Sequence, residues 1–294
     1  MSNRTSDDQL HRFVFDQCDI RGEIVSLRQS YDLATQHQNL PEPAQQLLGE
    51  FLVAVSLLAE ALKFSGTLTL QARGAGLIPL IMAESNDAGN IRGIVKLGEQ
   101  TRAEDLTGLN LKQMIGNGVL TLTVDPTKGK RYQGIVALEG DHLCQCLNDY
   151  FTQSEQLPTQ FWLAASATAA SGLMLQAMPP GTDSESDPEQ WSTAQHLANT
   201  VTSDELLQLE HADLLVRLFH EFEVRLFEPQ AVQFGCQCSR ERSANALTSL
   251  GRDDAFALLA ERDVITMNCE FCGSEFQFGH TDLDSLFSAD NPLH

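Results

Sequence analysis

Apolar and polar positions follow two periods along this chain. The runs RFVF and EIVSL, within residues 11–27, flank a turn at residues 19–22 and predict a pair of strands. Residues 29–38 carry a weak helical pattern. Pro41 and Pro43 then open a stronger helix, over about residues 44–63. Its apolar residues are nearly continuous, which predicts burial on most sides, and Gly66 closes it. Runs of β-formers follow, punctuated by turn residues: TLTLQA (67–72), LIPLIMA (77–83), IRGIVKL (91–97), GVLTLTV (118–124) and YQGIVAL (132–138). Their close spacing predicts antiparallel hairpins rather than crossover units. A helix over residues 142–153 follows, then FWLAASAT and SGLMLQAM as a last hairpin. The fold class is α+β, with this first domain at residues 1–178.

The pattern changes at Pro179-Pro180-Gly181. TDSESDPEQ is polar and acidic and reads as a flexible hinge. Residues 182–230 hold eleven acidic side chains against two basic ones, Arg217 and Arg225. Within them Thr202-Ser203-Asp204-Glu205 fits a capping box. Leu206, Leu209, Leu214, Leu215, Leu218, Phe219 and Phe222 recur behind it at helical spacing, a stripe that must cover something apolar. Residues 179–230 are therefore expected to be an amphipathic linker, only marginally stable when docked. Residues 231–294 form a third part. Ser239 caps a helix over 240–250 that Gly251 ends, and Asp253 or Asp254 starts another through Glu261. VITMN and SEFQF form a hairpin with CEFCG at its tip.

That last part carries the chemistry. Cys236 and Cys238 stand in FGCQCSRER, and Cys269 and Cys272 in MNCEFCGSE. Two tight thiol pairs can present a tetrahedron of sulfur to one ion, and zinc accepts four thiolates without strain. Gly273 permits the tight knuckle after the second pair. The core of this part is thin, so the metal is expected to hold it. The one-residue gap of the first pair also leaves two thiols able to oxidise to each other. A disulfide across so short a gap is strained and belongs to the labile, regulatory class. The residues alone leave a static zinc domain and a switching one both open. A second CxC, Cys144 and Cys146, falls in the helix 142–153, where residues two apart point away from one another. These two and Cys18 read as ordinary, partly buried thiols. His280 is a rival ligand, but four cysteines fill the shell. Arg240 and Arg242 read as solvated charge that can also lower a thiol pKa nearby.

Composition narrows the classes. The chain of 294 residues has a formal charge of −21, a surface that repels phosphate backbones and argues against nucleic-acid binding. The N-terminal MSNRTSDDQLHRF has no apolar core of a secretory signal. The most apolar run, FLVAVSLLA, has nine residues, too few to span a bilayer. A cytosolic protein with reduced thiols is expected, so the late cysteines read as metal-binding or redox-active rather than as a disulfide staple. Gly74 and Gly76 give GxG after a strand, yet Pro79 stands where a dinucleotide fingerprint needs its last glycine. No phosphate-loop motif and no nucleophile–base–orienter set is visible, so no enzymatic activity is expected.

With these residues in hand, the chain resembles the redox-regulated heat-shock holdases, the 33 kDa chaperonin family. CQCSRER and CEFCG look like that family's zinc motif, and YQGIVALEG, LNDYFTQSEQLPT, GLMLQAMP and RLFHEFEVRLFEP are similar to family blocks in the same order, across about residues 11–280. The resemblance implies Zn2+ held by Cys236, Cys238, Cys269 and Cys272. It implies disulfides Cys236–Cys238 and Cys269–Cys272 in the oxidised form. It also implies a cytoplasmic, ATP-independent holdase for unfolding client proteins, monomeric when reduced and a homodimer when oxidised. Cys144 and Cys146 lie outside the shared motif. Two rival classes stand beside it: a thiol–disulfide oxidoreductase, and a static zinc-binding interaction protein.

Overall fold

Two of the strand runs at the N-terminus pair at once, and everything else in the first unit is laid against them. The structure is a computed structural model that describes residues 5–16, 18–62, 64–155, 157–179 and 188–288. Pro180, Gly181 and residues 182–187 of the expected hinge lie outside the described residues. Strands β1 (Gln9–Phe15) and β2 (Ile20–Leu27) form an antiparallel hairpin. Helix α1 (Gln29–Thr35) has no cap of its own. The carboxylate of Asp8 accepts from the amides of Arg28, Gln29 and Ser30 instead, which explains why the local pattern there is weak.

Helix α2 (Glu42–Leu62) is the pillar of the unit. It packs against strands of two sheets, and thirteen of its residues are buried, among them Phe51, Leu52, Val53, Val55, Leu57 and Leu58. By length and composition α2 meets the criterion for a membrane-crossing helix, although the uninterrupted apolar run is shorter. Since 67% of that window is buried inside the protein, it is a core helix. Strands β3 (Gly66–Gly74), β4 (Leu80–Asn86) and β5 (Asn90–Lys96) follow, then the short helices α3 (Ala103–Leu106) and α4 (Leu111–Ile115), then β6 (Gly118–Pro126) and β7 (Tyr132–Ala137). Helix α5 (Leu143–Tyr150) runs on into a π-helical turn, Phe151–Glu155. Strands β8 (Thr159–Ala165) and β9 (Ala170–Ala177) make the last hairpin, and β9 pairs with β2. Gly172 of β9 is where α2 comes closest: a Cβ there would lie 2.4 Å from Val53 Cγ1.

The acidic linker is helical and docked. Helices α6 (Pro188–Ala198), α7 (Ser203–Gln208) and α8 (His211–Leu218) lie on the face of the first sheet opposite α2. The capping box is present: Thr202 Oγ1 accepts from Glu205 N, and the Glu205 side chain accepts from Thr202 N. Leu206, Leu214, Leu215, Leu218 and Phe219 of the apolar stripe are buried, with Leu209 and Phe222 partly so. They pack on Phe13, Phe15, Ile24, Leu173 and Leu175, while the alternate residues Val25 and Met174 face the α2 side. The chain then closes sheet edges. Strands β10 (Val224–Leu226) and β11 (Gln230–Ala231) pair with β1, and β12 (Gln233–Phe234) pairs with β5. The first sheet has the order β10-β1-β2-β9-β8, with β11 also on β1, and the second β12-β5-β4-β3-β6-β7. All pairs are antiparallel except β12–β5.

The first compact unit ends at Gly235 and a second begins at Cys236. The second holds α9 (Arg240–Leu250), α10 (Arg252–Arg262), the hairpin β13 (Ile265–Asn268) and β14 (Glu275–Phe278), and α11 (His280–Leu286). Ser239 caps α9 by accepting from Arg242 N, and Gly251, at φ 100°, separates it from α10, which starts one residue before Asp253. The core of this unit is thin: Ala244, Leu247, Ala255, Leu259, Ile265, Phe278 and Leu283.

One polar chain fastens α8 to the first sheet. Ser171 Oγ donates to Val25 O at 2.8 Å, so Ser26 donates to Ser171 Oγ and accepts from His211 Nε2 at 2.8 Å. That leaves His211 Nδ1 to accept from His11 Nδ1 at 2.8 Å, one proton per contact. Burial pushes the His11 imidazole below its ordinary 6.5, against the opposing pull of Glu228 and Glu210. The neutral ring is thus favoured in the docked state. Its contribution to docking is full above pH 6.5 and is lost as pH falls through the lowered value. Hydrogen exchange at Leu214, Leu215 and Leu218 should therefore lose measurable protection between pH 7.5 and pH 5. The drop should shrink in His11→Gln, which does not titrate.

Candidate metal centre

The backbone of the second unit brings the two cysteine strings together. Asn268 pairs with Glu275 at the end of the β13–β14 hairpin, so residues 269–274 form its tip. Cys269 N donates to Ser274 O and Gly273 N donates to Cys269 O, both at 2.8 Å, and Gly273 adopts φ 72°. That left-handed turn is the knuckle, and a glycine adopts it without penalty. The other string precedes α9, with Cys238 next to the capping Ser239. Arg242 Nη1 donates to Gln237 O at 2.8 Å and so holds the residue between the first two cysteines. Arg240 donates to Gln277 O and to Asp282 Oδ1, with its guanidinium over the Phe278 ring. Both arginines are exposed, as expected of solvated charge, and they also brace the site: Arg242 holds the first string, and Arg240 ties it to the hairpin and to α11.

All four Sγ atoms lie within 4.8 Å of one another, with Cys236 and Cys269 at 3.6 Å and Cys238 and Cys272 at 3.3 Å. A tetrahedron with metal–sulfur bonds of ~2.3 Å has sulfur–sulfur edges of roughly 3.8 Å. The donor set fits a four-coordinate thiolate ion such as zinc, and each residue is part-exposed, within reach of solvent oxidants. Among the described residues no other group of three or more His, Cys, Asp or Glu converges in this way.

Without an ion the thiols compete for charge. Burial and the neighbouring thiols push Cys238 up to about 12. Burial also acts on Cys272, but hydrogen bonds from Ser274 and from the neighbouring thiols outweigh it and bring that group down to about 7. One thiolate forms readily and the rest resist, so a divalent cation is what makes four thiolates tolerable together. His280 is outside the cluster: its Nδ1 faces Asp284 Oδ2 at 3.0 Å.

The other cysteines are elsewhere. Cys144 and Cys146 lie on α5, where burial pushes both thiols up, Cys144 to about 11 with Glu50 adding to it. Cys18 packs against the core beneath the linker helices. None of the three joins the metal cluster.

Comparison with known proteins finds relatives over nearly the whole length. The model of the Hsp33 protein family matches residues 8–279. The chain belongs to the Hsp33 family. Among its Hsp33 relatives, the 33 kDa chaperonin of Pseudomonas paraeruginosa is 49% identical over 96% of this chain and 95% of that protein. The 33 kDa chaperonin of Azotobacter vinelandii is 48% identical over the same shares. The crystal structure of the 33 kDa chaperonin (heat shock protein 33 homolog) of Thermotoga maritima superposes with a TM-score of 0.81 at 23% identity, over 95% of this chain and 97% of that one, which shows a shared Hsp33 fold.

With so thin a core, a metal held by the four cysteines would act as a folding partner. Structural zinc contributes on the order of 10–16 kcal/mol in small modules. Reduced protein should hold one zinc per chain. Single Cys→Ser changes at positions 236, 238, 269 and 272 should weaken it, and loss of both Cys269 and Cys272 should abolish it, as read by metal analysis. Chelation should unfold residues 236–288 and leave the circular dichroism of the first unit in place. Zinc retained by the double variant would refute the ligand set.

Proposed function

We propose that this chain is a redox-regulated, ATP-independent holdase that binds unfolding proteins during oxidative stress. One observation carries the reading: the apolar stripe of the linker helices is buried on an equally apolar sheet face, so releasing the linker uncovers two surfaces at once. Exposed apolar area of that kind is what an unfolding client binds. The family relationship and the chaperonin names of the relatives support it.

In this proposal the switch is the four-cysteine centre. In the reduced chain zinc bound by Cys236, Cys238, Cys269 and Cys272 holds the second unit folded. A peroxide oxidant takes two electrons from each cysteine pair. One thiolate attacks a peroxide oxygen and expels hydroxide, leaving a sulfenic acid. The second thiolate then forms the S–S bond and releases the sulfenic oxygen as hydroxide, which leaves as water once protonated. Cys236 pairs with Cys238 and Cys269 with Cys272. The ligands are lost, zinc leaves, and the second unit unfolds. Residues 179–230, acidic and docked by one stripe, follow, while residues 1–178 keep their own core. The oxidised chain pairs with a second copy, and the cycle belongs in the cytoplasm, with no nucleic acid and no membrane involved. The CxxC at a hairpin tip does not favour a thiol–disulfide oxidoreductase, which places such a pair at a helix start.

Light scattering of an unfolding client, with zinc release followed in the same sample, tests this. Peroxide should release zinc and suppress aggregation together, and protease sensitivity should rise between residues 180 and 294 only. Suppression without zinc release, or release without suppression, would sink the coupling. Adding ATP should change nothing. Leu215→Asp places a charge in the buried seam, at a cost of about 3 kcal/mol or more. It should give partial holdase activity under reducing conditions with zinc still bound.

A further inference from the structure

A cleft of about 610 Å³ opens in the first unit. One wall is a single stripe of α2. Glu42, Gln46 and Glu50 follow one another at four-residue spacing on it. The facing wall comes from α3 and α4, and buried Leu47, Leu106 and Met114 make the floor apolar. Asp141, at the start of the turn into α5, stands at the rim. The lining contains three carboxylates, the imidazole of His142 and no lysine or arginine among the described residues, and the Tyr31 hydroxyl and Cys144 thiol also lie in the field of Glu50.

The three carboxylates are not equivalent. Glu42 accepts from Gln46 Nε2 and Asp141 accepts from Asn110 Nδ2, and both are exposed. Glu50 is set into the helix wall, and its side chain makes no hydrogen bond or ion pair with any described residue. Enclosure alone pushes its carboxyl up to about 7, with no charge or donor opposing it. An enclosed carboxyl without a partner costs stability unless something else uses it. The donors do not converge as a metal site does, since no carboxylate group here comes within coordinating distance. A single positive charge on an apolar body matches one lone carboxylate above an apolar floor.

We propose that this cleft binds an organic cation, a primary ammonium group carried on an apolar chain, with Glu50 as the counter-ion. The ammonium donates to the Glu50 carboxylate and the chain lies against Leu47, Leu106 and Met114. Binding to the protonated carboxyl releases its proton to water. Below pH 7 the affinity for an amine that stays cationic therefore falls by about tenfold per unit. A free amine and a lysine side chain in an apolar polypeptide stretch share this chemistry.

Calorimetry on the full reduced chain tests the proposal with hexylammonium and its neutral counterpart hexanol. At pH 8 hexylammonium should bind about tenfold or more tighter than hexanol, and the advantage should vanish by pH 5. Glu50→Gln should erase the difference while leaving hexanol unchanged. Removing the enclosed charge should also raise Tm at pH 8, which reports on folding of that variant. Should the variant misfold, the pH profile of the unaltered chain decides. An apolar peptide with one lysine, set against the same peptide with norleucine, assigns the source: a lysine-dependent gain identifies a polypeptide ligand, and a gain with hexylammonium alone identifies a free amine. Equal affinity for hexylammonium and hexanol at pH 8, or an unchanged preference in the folded Glu50→Gln chain, overturns the proposal. It stands or falls independently of the redox switch, because neither zinc nor oxidation enters the measurement.

Discussion

The first sheet is apolar on both faces, and that constraint shapes the rest of the molecule. Antiparallel sheets commonly leave one face to water. Here β2 and β9 are buried along almost their whole length, with Val25 and Met174 turned to α2 and Ile24 and Leu173 turned the other way. The second face needs a cover, and the cover is a strongly acidic segment whose buried apolar side chains pack on that face. The polar chain from His11 through His211 to Ser171 adds direction to a contact that apolar burial alone would leave free to slide.

A second constraint operates at the other end of the chain. Among the described residues of the second unit, seven buried apolar side chains make a core that is thin for its size. Four part-exposed thiols converge in this unit, and a metal held by them would take over the role that a larger core plays elsewhere. Cys144, partly buried, and Cys146, buried, lie apart on α5 and converge with no further metal-ligating group among the described residues.

How much of this was legible in the sequence follows from where each signal resides. The caps at Thr202, Ser239 and Gly251 and the four cysteines are local patterns, and each is found where the sequence puts it. What is supplied from a distance was not legible. Helix α1 looks weak because its cap is Asp8, on the far side of a hairpin. Strands β11 and β12 are two residues long and exist only through their partners. Leu77-Ile78-Pro79 reads as the start of a strand, but Ile78 N donates to Met114 O and β4 begins at Leu80. Helix α6 sits in a stretch whose acidity hides Ala194 and Ala198, both fully buried. Glu50 reads as the polar end of an apolar run, because its surroundings come from α3 and α4, which are too short to leave a period.

The order in which the cover and the covered face leave the ribosome has a consequence for biosynthesis. Four of the six strands of the first sheet, β1, β2, β8 and β9, have been made by residue 177, but the helices that shield its outer face end only at residue 218. At ~5–20 residues per second that interval lasts several seconds. Edge strand β1 waits longer, since Phe13 finds Leu226 and Leu10 finds Gln230 only after those helices have emerged. Every newly made molecule therefore passes through a period in which its widest sticky surface and a raw sheet edge are open to whatever is nearby. The dense negative charge of the incoming cover is well suited to keeping such nascent chains apart until it lands.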